Sequence, residues 1–308
     1  LHRVDRRQRQ MCIRDSIISL LSALLIVLCV FAVEMKNTEK KAYQGISEIG
    51  EDQNTEVENK DNSQFIDMSL AKDIEAYFQE NGIDHEKVAY CITDLEHNIK
   101  YSMNEKDEFI AASIYKLPLA MLYYDKVNEG EYTLDSTFTY SGYMHEDAGV
   151  ISSDYGIGSQ VPLSDLLNDL IIYSDNDAGH ILYENLGGWK EYKEAMTKYT
   201  DTISENYYTM DNVTTANTMN DVVTYLYDHK EDYKGLIKNM EKAEPGEYLD
   251  RDTQLSMPQK YGMYDYALNS VGFVECNTSY SIVVLTSLGD KGADVMANIN
   301  RIAYEHFK

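Results

Sequence analysis

Apolar positions recur at helical spacing over residues 69–81, where Leu70, Ile74, Tyr77 and Phe78 share a face and Gly82 supplies a stop. The period then changes to two. Val88, Tyr90 and Ile92 alternate across 87–93, residues 94–98 read as a turn, and 99–103 reads as a return strand. Residues 112–127 read as a helix closed by Asn128-Glu129-Gly130. From about 132 to 239 the pattern is mostly helical. Leu163, Leu166, Leu167 and Leu170 share one face of 162–173, 178–186 ends at Gly187-Gly188, and 219–227 forms a further helix. The tail returns to short β-rich runs at 257–262, 270–275 and 280–286. It closes on an amphipathic helix at 293–307, with Val295, Ile299, Ile302 and Ala303 on one face. The order helix, strands, many helices, strands, helix predicts an α+β fold in three layers. One antiparallel sheet is built from strands of both ends of the chain and flanked by helices, with an all-helical subdomain inserted. No internal repeat interrupts this reading.

Upstream of the periodic region the pattern is of another kind. Residues 17–33 (IISLLSALLIVLCVFAV) carry no charge. The run is short for a membrane span and long for the apolar part of a cleaved signal peptide. It reads as a single-pass signal-anchor, with Val30-Phe31-Ala32 offering cleavage and secretion as the alternative. Residues 1–16 form a short basic segment, in which RRQRQMCIRDS resembles translated adapter sequence rather than native protein. That flank predicts residues 1–16 on the cytoplasmic side and everything after Val33 outside the cell. Residues 34–65 are polar, acidic and poor in large apolar side chains, and read as a disordered linker. The folded domain is expected over 66–308.

Composition narrows the classes of function. The 308 residues are 44% hydrophobic and 26% charged, which suits a globular protein with a sizeable core. The net charge of −25 is unusual. With the basic leader set aside, the remainder carries about −28. Such a surface does not hold a polyanion by counterion release, which argues against nucleic acid as a partner. It does favour solubility. The four cysteines are too few and too scattered for a disulfide framework or a zinc site. Cys91 and Cys276 fall in strand-like runs and read as small buried hydrophobes, and spacing does not decide whether they form a bridge. No metal and no organic cofactor is implied.

Three short motifs carry the chemistry. Ser113-Ile114-Tyr115-Lys116 places a hydroxyl and an amine three residues apart at a helix start, on one face. Serine is a weak nucleophile until a base takes its proton, and a lysine serves once burial or a second cation lowers its pKa. A helix start also favours developing negative charge. Pro118 is tolerated there because it sits near a first turn. Spacing alone is weak, since Ser69-Leu70-Ala71-Lys72 also fits; there Ser69 reads as a helix N-cap and Lys72 as solvated. Ser174-Asp175-Asn176 is either a cluster of helix-cap formers or a source of a second hydroxyl (Ser174) and a substrate-binding amide (Asn176). Lys260-Tyr261-Gly262 is either the end of an exposed edge strand or a cation beside a glycine that lets a substrate backbone lie close.

In this order the three motifs match the Ser-x-x-Lys, Ser-Asp-Asn and Lys-Thr-Gly set. Residues 66–308 resemble the class A β-lactamase branch of the penicillin-recognising serine hydrolases. The stretches that carry the resemblance are FIAASIYKLPLAML, YSDNDAGHILYENLGG and KYGMYDYALNSVGFV, with DNVTTANTMNDVVTYL similar to the stretch after that family's omega loop. The resemblance implies a β-lactamase/transpeptidase-like fold and a set of roles. Ser113 would be the acylated nucleophile, Lys116 its proton acceptor and Ser174 a proton shuttle. Asn176 would bind the substrate amide and Lys260 its carboxylate, with Tyr261 and Gly262 also facing substrate. The backbone N–H groups of Ser113 and Met263 would form the oxyanion hole. Tyr261 stands where the family has a small hydroxyl residue, which moves the hydroxyl outward. The family's Glu-x-x-Leu-Asn element, whose Glu activates the hydrolytic water, does not occur between Gly188 and Val213; Glu205 is the nearest candidate.

Three readings follow from the resemblance. The first is β-lactamase-type opening of cyclic amides through an acyl-Ser113 intermediate. The second is a cell-wall peptidase acting on D-Ala-D-Ala-type peptidoglycan stems, which the missing Glu and the anchor favour. The third is a penicillin-binding sensor or structural domain without turnover. A separate geometric expectation is that the Lys116 ammonium lies within hydrogen-bond reach of Ser113 Oγ, with Ser174 and Lys260 facing the pair.

Overall fold

The computed structural model describes residues 68–142, 149–253 and 255–308. The expected anchor (17–33), its basic flank and the linker (34–65) lie outside the described residues. Among the described residues no helix is long and apolar enough to cross a membrane.

The sheet is five-stranded and antiparallel. Its strands are β1 (Val88–Asp94), β2 (Ile99–Met103), β7 (Gln259–Tyr264), β8 (Ala267–Val274) and β9 (Tyr280–Thr286), in the order β2-β1-β9-β8-β7. The two ends of the chain therefore meet at its centre, where Val88 pairs with Thr286 and Asp94 with Tyr280. Side chains alternate across the sheet because the strand period is two. Val88, Tyr90, Ile92, Ile282 and Val284 enter one core, and Ala89, Cys91, Val283 and Leu285 the other.

The first core is closed by two helices. In α1 (Ser69–Asn81), Leu70, Ile74 and Phe78 are buried one turn apart, and Gly82 ends the helix in the left-handed region at φ 60°, its N–H donating to Gln79 O and Phe78 O. In α9 (Lys291–Phe307), Val295, Met296, Ile299 and Ala303 cover the same face. Ser69 is not the N-cap expected of it: Met68 precedes the helix without a side-chain cap, and Ser69 Oγ instead lies 3.3 Å from His306 Nδ1. Lys72 is exposed.

The second core lies between the opposite sheet face and the helical part. That part comprises α2 (Lys116–Asn128), α3 (Val150–Asp154), α4 (Leu163–Ile172), α5 (Asn176–Asn185), α6 (Trp189–Met196), α7 (Ala216–Asp228) and α8 (Lys234–Met240). Two small two-stranded sheets sit within it: β3 (Phe109–Ile110) with β6 (Val213–Thr214), and β4 (Thr137–Thr139) with β5 (Gln160–Pro162). α7 crosses the sheet, and its buried Asn220 bridges β1 and β9 through Thr93 Oγ1 and Ser281 Oγ. Cys91 and Cys276 are both free thiols, and burial pushes Cys91 up to about 12, so it stays a protonated core residue.

Candidate active site

The segment read as one helix from 112 is two elements. Ala112–Tyr115 is a 3-10 turn, and the α-helix begins at Lys116. Side chains three apart eclipse in a 3-10 turn, which aligns Ser113 and Lys116 along its axis. Pro118 is the third residue of α2, where its missing N–H has no helical acceptor to lose. Ala112 is held at φ 50°, a strained region for a residue with a Cβ.

That turn is fastened from several sides. Asn269 on β8, fully buried, donates to Ile110 O (2.8 Å) and Ala111 O (3.1 Å), while its own Oδ1 accepts from Thr286 N. Asn212 Nδ2 donates to Ala112 O at 2.8 Å, and Tyr192 Oη to Tyr115 O at 2.7 Å. The carbonyls flanking the serine are thus taken by side chains from β8, the 200–212 loop and α6. On the remaining side β7 presses against the turn. A Cβ at Gly262 would stand 2.6 Å from Ser113 N and 2.7 Å from Ile114 N. Glycine is required at 262 by the approach of the strand to the nucleophile's own backbone, rather than by the approach of a substrate.

Behind the serine two buried lysines converge on one hydroxyl. The Lys116 ammonium donates to Ser174 O (2.5 Å), to Asn176 Oδ1 (2.6 Å) and, longer, to Ser174 Oγ (3.4 Å). Lys260 Nζ donates to Ser174 Oγ (3.0 Å) and Tyr261 O (2.7 Å). Both side chains are fully enclosed. Burial, and then the neighbouring Lys116 charge, hold Lys260 well below the ordinary lysine range. Two like charges on a shared hydroxyl favour loss of one proton from the pair, which makes the pair a base. The expected Ser113–Lys116 hydrogen bond is not formed among the described residues. The ammonium turns instead to Ser174 and Asn176, whose carbonyl oxygens are stronger acceptors than a hydroxyl.

Both readings of the second motif hold together. Asp175 caps α5, its carboxylate accepting from Ala178 N, and also accepts from Val150 N and Ile151 N. The cap leaves Ser174, at φ 57°, and Asn176 facing Lys116.

Ser113, Asn176 and Met263 line a pocket of about 650 Å³, together with Tyr115, Asn212 and Asp211. Its mouth carries exposed apolar side chains, among them Met210, Met263 and Tyr264. Six expected site residues are not among its lining residues: Lys116 and Lys260, which are fully buried, Ser174, to which both donate, Gly262, which packs against the serine turn, and Tyr261 and Glu205. The Tyr261 ring stacks on Tyr248 at 4.8 Å with Lys260 Nζ 4.3 Å from its centroid, and it is not part of the pocket wall. Its burial pushes the phenol up to about 12, so Tyr261 keeps its proton, and its ring covers the Lys260 ammonium. Glu205 is exposed and also outside the wall; Asp211 is the carboxylate among the lining residues. Among the described residues no cluster of three or more His, Cys, Asp or Glu side chains could hold a metal ion.

Asn212, Asn269, Tyr192 and Lys193 were not foreseen. The only trace of Asn269 in the sequence is a polar residue inside an apolar strand run, and its partners lie far away in the chain.

Asp169 lies behind the Ser174 turn, with its backbone carbonyl accepting from Asp175 N at 3.0 Å. Burial, then Asp175, Asp165 and Asp154, raise its carboxyl to about 7. Between about pH 4, where the unfolded chain releases this proton, and pH 7 the native state still holds it, so stability falls as pH rises through that window. Asp169→Asn is expected to flatten this fall and to raise stability at pH 8 by about 2 kcal/mol, less than the full linkage value because the group is incompletely enclosed. Urea midpoints of both proteins at pH 5 and pH 8 measure it, and equal slopes would refute the assignment.

The comparisons with known proteins bear on the family and the fold. A family model described as the β-lactamase enzyme family matches residues 69–307. No curated protein matches the chain. Among solved structures, a β-lactamase from Chitinophaga pinensis DSM 2588 superposes with a TM-score of 0.65 at 20% identity, covering 78% of this chain and 99% of that one. The TLA-3 extended-spectrum β-lactamase gives 0.67 at 20% identity over 77% and 98%. A PBP-A variant, solved as its acyl-enzyme complex with penicillin G, gives 0.66 at 17% over 77% and 96%. At these identities the likeness to solved structures is one of fold.

Proposed function

We propose that this chain, which belongs to the β-lactamase enzyme family, is a serine hydrolase that opens β-lactam amides by acylating Ser113. The observation that carries the reading is the convergence of Lys116 and Lys260 on Ser174 behind a pocket floored by Ser113. Ser113 Oγ adds to the amide carbonyl carbon as its proton passes to the lysine pair. The C–N bond then breaks, and the leaving nitrogen takes a proton through the Ser174 hydroxyl. The N–H groups of Ser113 and Met263 hold the oxyanion, and Asn176 orients the substrate amide. The acyl-enzyme complex reported for the PBP-A relative, in its case with penicillin G, is the product expected of this step.

A second reading concerns release. Glu205 stands outside the pocket wall, which favours a long-lived acyl-enzyme and a peptidoglycan stem peptide as the physiological substrate. Anchorage through residues 17–33, with the domain outside the cell, would place the pocket beside such a substrate.

Incubation of the full chain with a fluorescent penicillin and a chromogenic cephalosporin, alongside Ser113→Ala, tests the proposal. The native chain is expected to label covalently and the variant not at all. Sustained colour supports β-lactam hydrolysis, whereas stable label with release of D-Ala from a stem peptide supports the peptidase. Equal labelling of the variant would rule out Ser113 as nucleophile.

A further inference from the structure

One wall of the pocket is a loop, residues 200–212, that contributes Met210, Asp211 and Asn212. Loop walls need an anchor, since irregular backbone carries carbonyls with no ladder partner. Glu108 holds Asn206, Asp221 holds Thr200 and Thr202, and one further side chain takes the carbonyls of the stretch that reaches the pocket. Lys193, on α6, is 2% exposed, and its Nζ lies 2.6 Å from Tyr207 O, 3.0 Å from Thr209 O and 2.6 Å from Asp211 O. An ammonium has three N–H donors, and all three are used on alternate carbonyls of this loop. The charge also faces the rings of Trp189 and Tyr207, 5.1 Å and 5.0 Å from their centroids. Among the described residues it makes no ion pair with a carboxylate. The one charge that acts to keep it protonated is that of Asp211, and a buried cation with no close ion pair is costly unless its hydrogen bonds are complete, so the loop and the lysine hold each other in place.

The held segment leads straight to the nucleophile. Asn212 O accepts from Ala111 N (2.8 Å), and Asn212 Nδ2 donates to Ala112 O (2.8 Å), the carbonyl preceding Ser113. Tyr192, the neighbour of Lys193 on α6, donates to Tyr115 O on the other side of Ser113. One helix thus reaches both the loop and the nucleophile's turn.

We propose that Lys193 is a positioning residue for Ser113 acylation: its ammonium clamps the loop, and through Asn212 the loop fixes the backbone of the serine turn. This rests on the acyl-Ser113 reading above.

The test uses the full chain, a fluorescent penicillin and Lys193→Met, which keeps the apolar stem and removes the donors. The variant is expected to melt at a lower temperature and to fold. Its second-order labelling constant per folded molecule falls at least tenfold, and backbone amides of 205–212 exchange faster while those of β7, β8 and β9 do not. Emission from Trp189, the chain's one tryptophan, shifts as the ammonium leaves its ring. A purely structural lysine would lower the melting temperature and leave labelling per folded molecule at the native rate; that result overturns the proposal, whatever the exchange. If the variant does not fold, exchange in the native chain decides. The amides of Tyr207 and Thr209, bonded to Ser204 O and Asn206 O, are expected to exchange slowly, and free-loop rates there would overturn the clamp. Failure of the native chain to label at Ser113 would instead count against the acylation reading, and the exchange measurements would still judge the clamp.

Discussion

Lys116→Met is expected to slow covalent labelling of Ser113 by about 100- to 10,000-fold, the range for loss of a positioned general base. Methionine fills the space of the buried lysine stem, and the side chain it replaces has no exposed surface. What disappears is the amine. Ser174 O and Asn176 Oδ1 each lose a donor, which costs stability, but the repulsion between two enclosed ammonium groups is relieved at the same time. The fold should survive. Lys260, freed of its cationic neighbour, moves back toward the ordinary lysine range and becomes a poorer partner for a proton leaving Ser174. Timed labelling of both proteins measures the effect, with a thermal melt as the control for folding. A variant that labels within threefold of the native rate would remove Lys116 from the mechanism.

Gly262→Ala should be nearly as damaging, through geometry alone. The atoms a Cβ would meet are Ser113 N, Ile114 N and, at 3.1 Å, Ala111 O. All are backbone, so no side chain can swing aside. Either β7 withdraws from the serine turn or the turn deforms, and in both cases the two N–H groups proposed for the oxyanion, those of Ser113 and Met263, are displaced from one another. Loss of one oxyanion donor costs about 100- to 1,000-fold in rate. Overpacking adds roughly 1–3 kcal/mol of destabilisation. Labelling rate and denaturant midpoint report the two separately. Native labelling in a destabilised variant would mean that β7 supplies no oxyanion donor.

Much of the architecture was legible because burial leaves a periodic trace. The helix at Ser69–Asn81 and the strand at Tyr280–Thr286 occur at the bounds read from period alone. α3, α6 and α8 fall in the stretch read as mostly helical but were not separated within it, being only 5, 8 and 7 residues long. The break between the 3-10 turn and α2 was also invisible, since the apolar run through FIAASIYKLPLAML suits either helix. In the site, Ser113, Lys116, Ser174, Asn176 and Lys260 are chemically distinctive residues in fixed local spacing, and the structure brings them together. The groups that hold them leave no such trace. Asn269, Asn212 and Lys193 act on backbone carbonyls reached by tertiary approach, and a carbonyl has the same identity in every residue. Tyr261 and Glu205 show the converse: each has suitable chemistry, yet neither is among the residues lining the pocket.

The strand order has a consequence for how the molecule comes into being. β9 is the last strand made and the middle one of the sheet. Until it is synthesised, β1–β2 and β7–β8 are two separate hairpins with nothing to join them, each with an apolar edge awaiting the same absent partner. The serine turn follows the first hairpin, and Lys260 and Gly262 belong to the second. A growing chain therefore carries Ser113 apart from Lys260 and Gly262 through most of its synthesis. Folding must wait for pairings between the chain's extremes, a slow class of event. The proposed site is assembled only when the strand that completes the sheet has also drawn its two halves together.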